Sequence, residues 1–219
     1  MRAVAAALVA LLVSFPAAFT PASAQQYGEP GQFDFYVLAL SWSPSYCESA
    51  GNRADPAQCR VQKPLGFIVH GLWPQYDRGF PSDCAYNPPR VSDHTIREIS
   101  DVIPSRSLVI HQWRKHGTCS GLSPEQYFDL TRKAFEKIKI PPLFVESTRW
   151  QSVSPPEIEN AFRVANPGLQ GDMLSVTCDR RNLREVRICL TKDLQFRACP
   201  QVDRQSCRSP RISLPPIRG

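Results

Sequence analysis

An α+β fold is predicted by the way local signals are distributed along the chain. Strand-like runs lie towards both ends and helix-start signals lie between them, so the element types are segregated rather than alternating. Of the 219 residues, 42% are hydrophobic and 21% charged, a balance that buries a core and that a disordered chain lacks. The 21 prolines against 11 glycines favour rigid loops and short elements over the long helices of a coiled coil or simple bundle. Length points to one main domain, and no glycine–serine linker, repeat array or low-complexity tract divides it.

Met1 and Arg2 lead into an apolar run from Ala3 to Val13, followed by Pro16, Pro21 and Ala22-Ser23-Ala24, which reads as a secretory signal peptide over residues 1–24. The run falls short of the roughly 20 apolar residues that cross a bilayer, and no later stretch comes closer, so no membrane association is expected. Residues 25–219 then form one domain with 25 basic and 20 acidic side chains, net +5. This modest excess permits attraction to a polyanion without identifying one.

Phe33 to Trp42 mixes aromatic and β-branched residues and stops at Ser43-Pro44, a buried strand, and Gly66 to His70 is a second, short one. Tyr46 to Lys63, polar and holding two cysteines, reads as a stapled loop, as does proline-rich Gly79 to Pro89. Asp93 to Ile103 and Leu108 to His116 read as helices. Ser123-Pro124-Glu125-Gln126 supplies an N-cap, a first-turn proline and a capping-box glutamine ahead of Tyr127, Leu130, Ala134 and Ile138. Ser154-Pro155-Pro156-Glu157 repeats the arrangement, and Asn166-Pro167-Gly168 closes that helix. Met173 to Cys178 and Val186 to Leu190 read as strands joined by a polar turn at Asp179 to Asn182, and Arg208 to Gly219 as an extended basic tail.

All eight cysteines follow the leader. An even count behind an export signal favours disulfides over metal thiolates, no close CxxC pair suggests zinc, and the sequence leaves all 105 pairings open. None of the five asparagines begins a glycosylation sequon, which leans towards a bacterial periplasm within a secreted or periplasmic location.

Three of the four histidines sit in two tight segments, Phe67-Ile68-Val69-His70-Gly71-Leu72-Trp73-Pro74 and Ile110-His111-Gln112-Trp113-Arg114-Lys115-His116-Gly117-Thr118-Cys119. On a helix turning about 100° per residue, His111, Lys115, Gln112 and His116 share one side and Trp113 anchors the other. Two imidazoles and a lysine suit phosphodiester chemistry without a metal. One ring serves as base and the other, protonated, as acid, while the ammonium stabilises charge on a phosphorane oxygen. RNA carries its own nucleophile in the 2′-hydroxyl, which DNA lacks. His94, isolated, reads as a structural histidine, and Trp73 or Lys115 taken singly would read as core and solvated charge; the combination carries the chemistry. No Gly-x-Ser-x-Gly, P-loop or HExxH pattern supports a serine hydrolase, nucleotide-binding or zinc-protease reading.

Both segments resemble the active-site segments of the ribonuclease T2 family, and the resemblance runs from about Phe33 through the C-terminal cysteines. It implies a central antiparallel sheet flanked by helices. It also implies cleavage of single-stranded RNA through a 2′,3′-cyclic phosphate to 3′-phosphate ends, with no metal and no cofactor. By position His116 is the general base and His70 the general acid, exchanging roles in the second step, with His111 on phosphate, Lys115 on the transition state and Trp73 stacked on a base. The implied disulfides are Cys47 with Cys59, Cys84 with Cys119, Cys178 with Cys207 and Cys189 with Cys199. Two positions depart from the family. Gln112 stands where glutamate is usual, and Gln75 where some members read a purine edge with an acidic residue, which points to broad base specificity. The expected protein is a monomeric endoribonuclease; the contrasting expectation is a catalytically silent RNA- or polyanion-binding module on the same scaffold.

Overall fold

The computed structural model describes residues 28–217 apart from 146 and 180, so the expected signal peptide at 1–24 lies outside the described residues. In chain order the elements are β1 (Phe35–Trp42), α1 (Ser43–Ala50), α2 (Pro56–Cys59), β2 (Phe67–Gln75), α3 (Asp93–Glu98), α4 (Arg106–Lys115), α5 (Pro124–Glu136), α6 (Pro142–Val145), β3 (Gln151–Val153), α7 (Pro155–Ala165), β4 (Leu174–Cys178), β5 (Leu183–Leu190), α8 (Pro200–Asp203) and β6 (Ile212–Leu214). The architecture is α+β. An antiparallel sheet in the order β2-β1-β5-β4 is flanked by helices, and β3 pairs with β6 in a second, two-stranded sheet.

β1 is buried along nearly its whole length because it is an interior strand covered on both faces. Strand alternation sends Leu38, Leu40 and Trp42 to one face, with Val69, Leu72, Val186 and Ile188 from the neighbouring strands. That face meets Tyr127 and Phe128 of α5 and Phe162 of α7 in the main core. The opposite face carries a smaller cluster, Phe35, Val37 and Cys189 under Cys199 and Val202, with Trp73 packed against it. Trp73, His70, Glu185 and Arg187 gather on the rest of that second face.

Both capping boxes form as the sequence indicates, at Ser123 with Gln126 and at Ser154 with Glu157. Tyr127 of α5 donates its hydroxyl to Leu72 O at 2.7 Å, tying the helix to β2. Four disulfides, Cys47–Cys59, Cys84–Cys119, Cys178–Cys207 and Cys189–Cys199, staple the domain. Cys84–Cys119, 35 residues apart, closes a loop worth about 4 kcal/mol in chain entropy and fastens the 79–89 segment beside the end of α4.

Several boundaries differ from the sequence expectation. The stretch expected as a loop from Tyr46 to Lys63 contains most of α1 and all of α2, because Pro44 and Pro56 sit in first turns and the Asp55 carboxylate accepts from Ala57 N at 2.9 Å. β2 runs on to Gln75 through Pro74, which an edge strand tolerates because its missing N–H costs no ladder bond. α3 ends at Glu98 rather than Ile103. The C-terminal tail is anchored: Ile212 and Leu214 are buried, β6 pairs with β3, and Trp42 Nε1 donates to Pro215 O at 3.0 Å.

Candidate active site

His70 owes its direction to an irregularity in the sheet. β1 and β2 pair regularly from Phe35 opposite Gln75 to Ala39 opposite Gly71, then slip so that Leu40 faces Val69 and His70 has no partner on β1. In a regular strand His70 and Trp73, three residues apart, would point to opposite faces; the bulge brings them together. Their rings meet edge to face with centroids 5.3 Å apart.

His70 Nδ1 lies 2.6 Å from Oε1 of Glu185, a residue 1% exposed on β5, and Arg187 Nε donates to the other carboxylate oxygen at 2.9 Å. Burial opposes ionisation of Glu185, but His70 and Arg187 outweigh it and hold the carboxyl down to about 2. The Arg187 guanidinium also lies 5.3 Å from the centroid of the Trp73 ring.

α4 supplies the rest. Ser105 caps it by accepting from Leu108 N at 3.2 Å, and Val109 and Trp113 bury its inner side, with Trp113 Nε1 donating to Pro89 O at 2.7 Å. Gln112, 1% exposed, accepts from Trp73 Nε1 at 2.7 Å. An indole nitrogen can only donate, so the amide oxygen faces the tryptophan and the NH2 is turned away from it. The bond passes over Gly71: a Cβ there would lie 2.1 Å from Gln112 Oε1 and 2.3 Å from Trp73 Nε1.

The expectation that His111, Gln112, Lys115 and His116 share one side of a single helix needs correction. α4 ends at Lys115, and His116, at φ −123° and ψ −45°, leaves the helical path into a 3-10 turn at Gly117–Ser120. Its ring lies 5.3 Å from that of Trp73, tilted by 32°, so both imidazoles pack against the one indole and their centroids are no farther apart than twice that distance. His116 Nδ1 is buried without a hydrogen-bond partner. Burial first, then the charges of His111, His70 and Lys115, push its pKa down to about 3, with Asp83 opposing. His116 is therefore neutral through most of the acidic range.

Lys115 is paired: Nζ donates to Asp83 Oδ2 at 2.5 Å, and Asp83 N donates back to Lys115 O at 2.9 Å. His111 and His70 line a cleft of about 690 Å³ shared with Glu185, Tyr46, Asp55 and Arg184. Gln75 is buried opposite Phe35, its amide donating to Pro74 O at 2.9 Å. Glu185, Arg187 and Asp83 were not singled out by sequence. Glu185 and Asp83 each act on a histidine or lysine far away along the chain, Arg187 acts through Glu185, and the one local hint, acidic and basic residues alternating at Glu185 and Arg187, looks the same as an ordinary solvent face. Among the described residues, no group of three or more His, Cys, Asp or Glu side chains is placed to hold a metal ion, and no helix is long and apolar enough to cross a membrane.

Comparison with known proteins finds similarity along almost the whole described chain. A sequence model of the Ribonuclease T2 family matches residues 33–199. A ribonuclease of Aeromonas hydrophila is 40% identical over 190 residues, covering 85% of each chain. Ribonuclease DdI of Dictyostelium discoideum is 29% identical over 94% of this chain and 96% of its own. Among solved structures, an RNase-related protein from Calystegia sepium superposes with a TM-score of 0.68 at 26% identity, over 85% of this chain and 98% of that one.

Proposed function

Because the chain belongs to the ribonuclease T2 family, as a T2-type endoribonuclease, we propose that it cleaves single-stranded RNA by transphosphorylation, without a metal or other cofactor and with broad base specificity. One observation carries the reading: two imidazoles pack against a single indole, one half-buried and neutral with its Nδ1 unpartnered, the other bound to a carboxylate. Environments that differ in this way are how two like groups divide acid and base work.

In the first step neutral His116 takes the proton of the RNA 2′-hydroxyl, whose oxygen attacks the adjacent phosphorus. His70 gives its Nε2 proton to the departing 5′-oxygen, and a 2′,3′-cyclic phosphate results. In the second step a water replaces the 5′-oxygen, the two histidines exchange roles, and the ring opens to a 3′-phosphate. Charge building on the non-bridging oxygens is met by Lys115, released from Asp83 by the competing phosphate, by His111 from the cleft, and by the amide NH2 of Gln112. Trp73 packs against both imidazoles, and its exposed part offers a stacking surface to a base. With an amide rather than a carboxylate at Gln75, and that amide bonded within the chain, no fixed charge there selects a base edge.

The four disulfides support export to an oxidising compartment, secreted or periplasmic, and the protein acts as a monomer. Incubating the purified mature protein with yeast RNA in EDTA tests the reading. Cyclic-phosphate ends are expected. Loss of activity on chelation would point to a metallonuclease instead, and binding without cleavage to a silent polyanion-binding module.

A further inference from the structure

The bulge that turns His70 onto the functional face also takes its residue out of the β1–β2 pairing, so the sheet does not fix the direction of the ring. Glu185 does, from two strands away. Across the sheet, Ser41 stands between Ile68 and Glu185, and Ala39 between Gly71 and Arg187. These small residues on the middle strand leave room for the two long side chains of β5 to lie across it, and the carboxylate reaches His70 Nδ1 at 2.6 Å.

Glu185 is itself held. Arg187 donates Nε to Oε2 at 2.9 Å, its terminal nitrogen lies 2.8 Å from the same oxygen, and its other arm donates to Gln205 Oε1 at 3.0 Å. The acceptor towards His70 therefore has one position. An isolated buried ion pair is weak evidence of stabilisation, since apolar side chains of similar volume do as well or better. The specific consequence of this one is orientation.

Resting on the acid–base reading above, we propose that Glu185, fixed by Arg187, is the positioning residue of the general acid, holding His70 with hydrogen on Nδ1 so that the mobile proton is always the one on Nε2. A carboxylate only accepts, so the Nδ1 hydrogen stays on the ring. When protonated His70 gives a proton to the departing 5′-oxygen, it loses it from Nε2, which has no protein partner among the described residues. The neutral ring left behind has a lone pair on Nε2, the form that must take a proton from water in the second step. Without Glu185 the neutral ring can hold its hydrogen on Nε2 instead and present no base.

The test compares Glu185→Gln and His70→Ala on two substrates: a dinucleoside monophosphate, whose alkoxide leaving group needs a proton, and a nucleoside 3′-(4-nitrophenyl phosphate), whose phenolate leaves without one. Glu185→Gln is expected to lower kcat on the dinucleotide by about a hundredfold or more, as loss of a correctly held acid–base group does, with KM little changed and a far smaller loss on the aryl ester. His70→Ala is expected to show the same split. Equal losses on both substrates would assign Glu185 a structural role and overturn the inference. So would unimpaired dinucleotide cleavage by Glu185→Gln while His70→Ala is slow, with the acid–base reading left intact. Full activity of His70→Ala would instead remove the reading itself. A second measurement needs no variant: ¹⁵N–¹H correlation of the wild-type imidazoles is expected to show neutral His70 protonated on Nδ1, and an Nε2–H form would overturn the inference.

Discussion

Replacing Gln112 by Glu puts a carboxylate beside His116, the proposed general base, with a consequence that can be sized. His116 N donates to Gln112 O at 3.0 Å, and both side chains meet Trp73, the Gln112 amide at 2.7 Å from Nε1 and the His116 ring at 5.3 Å from the indole, so the two are taken as about 6 Å apart. A unit charge at about 6 Å in an effective dielectric of about 20 is worth about 3 kcal/mol, or about two pKa units. A negative charge favours the imidazolium, so the His116 pKa, held down to about 3 by burial and neighbouring cations, rises towards about 5 in the variant. The Trp73 bond survives, because a carboxylate oxygen accepts from Nε1 as the amide oxygen does. The acidic limb of kcat/KM, which reports the free enzyme, is therefore expected to move up by one to two units, about what this charge supplies. The plateau should fall because the amide donor to the phosphoryl oxygens is gone. Initial rates below KM on a dinucleoside monophosphate, from about pH 3 to about pH 8, measure both effects. An acidic limb that stays in place while tryptophan fluorescence shows the Trp73 environment unchanged would refute the assignment of that limb to His116.

Four further outcomes follow. His116→Ala should lower turnover on RNA by about a hundredfold or more, and wild-type turnover in this variant would exclude His116 from the mechanism. Gly71→Ala drives a methyl into the Trp73–Gln112 bond; it should destabilise the fold by about 1–3 kcal/mol, read as a lower Tm, and lower activity, and a variant with wild-type Tm and activity would show that the bond is dispensable. Asp83→Asn frees the Lys115 ammonium, so KM for RNA should fall at low ionic strength and the difference should fade as salt is added; an unchanged KM would mean that Lys115 does not meet the phosphate. Because the folded-state pKa of His116 is depressed, the unfolded chain binds the extra proton as pH falls below about 6.5, and stability should be lost progressively towards about 3. Tm against pH in wild type and His116→Asn checks this: the variant should decline less over that window, and parallel curves would contradict the depression.

What the sequence made legible is what local patterns encode. The capping boxes at Ser123 and Ser154 depend on residues three apart, and both helices begin where those residues say. His70, His111, Lys115 and His116 were visible as chemistry because their types and spacing are unusual. Their arrangement was less so. The bulge at His70 is a property of strand register, set by pairing with β1, and no pattern within β2 announces it. The departure of His116 from the helix depends on the turn that follows, whereas an angular projection assumes that the helix continues. β3 and β6 have three residues each, too few for alternation to register, and they exist because distant segments meet.

The proposed division of labour between the two imidazoles has the same origin. His116 comes from the end of α4, where burial and neighbouring cations favour the neutral ring and where Asp83, the anion that opposes them, is bound to Lys115. His70 comes from an edge strand, and its carboxylate arrives across β1 from β5. Neither environment belongs to the segment that carries the histidine, so exchanging the two short motifs between their places in the chain would exchange their roles. In the proposed mechanism base falls to one position and acid to the other because of what the fold packs around each. In this chain the position on α4 holds an amide, and the ionised carboxylate of the site reaches His70 from the sheet instead.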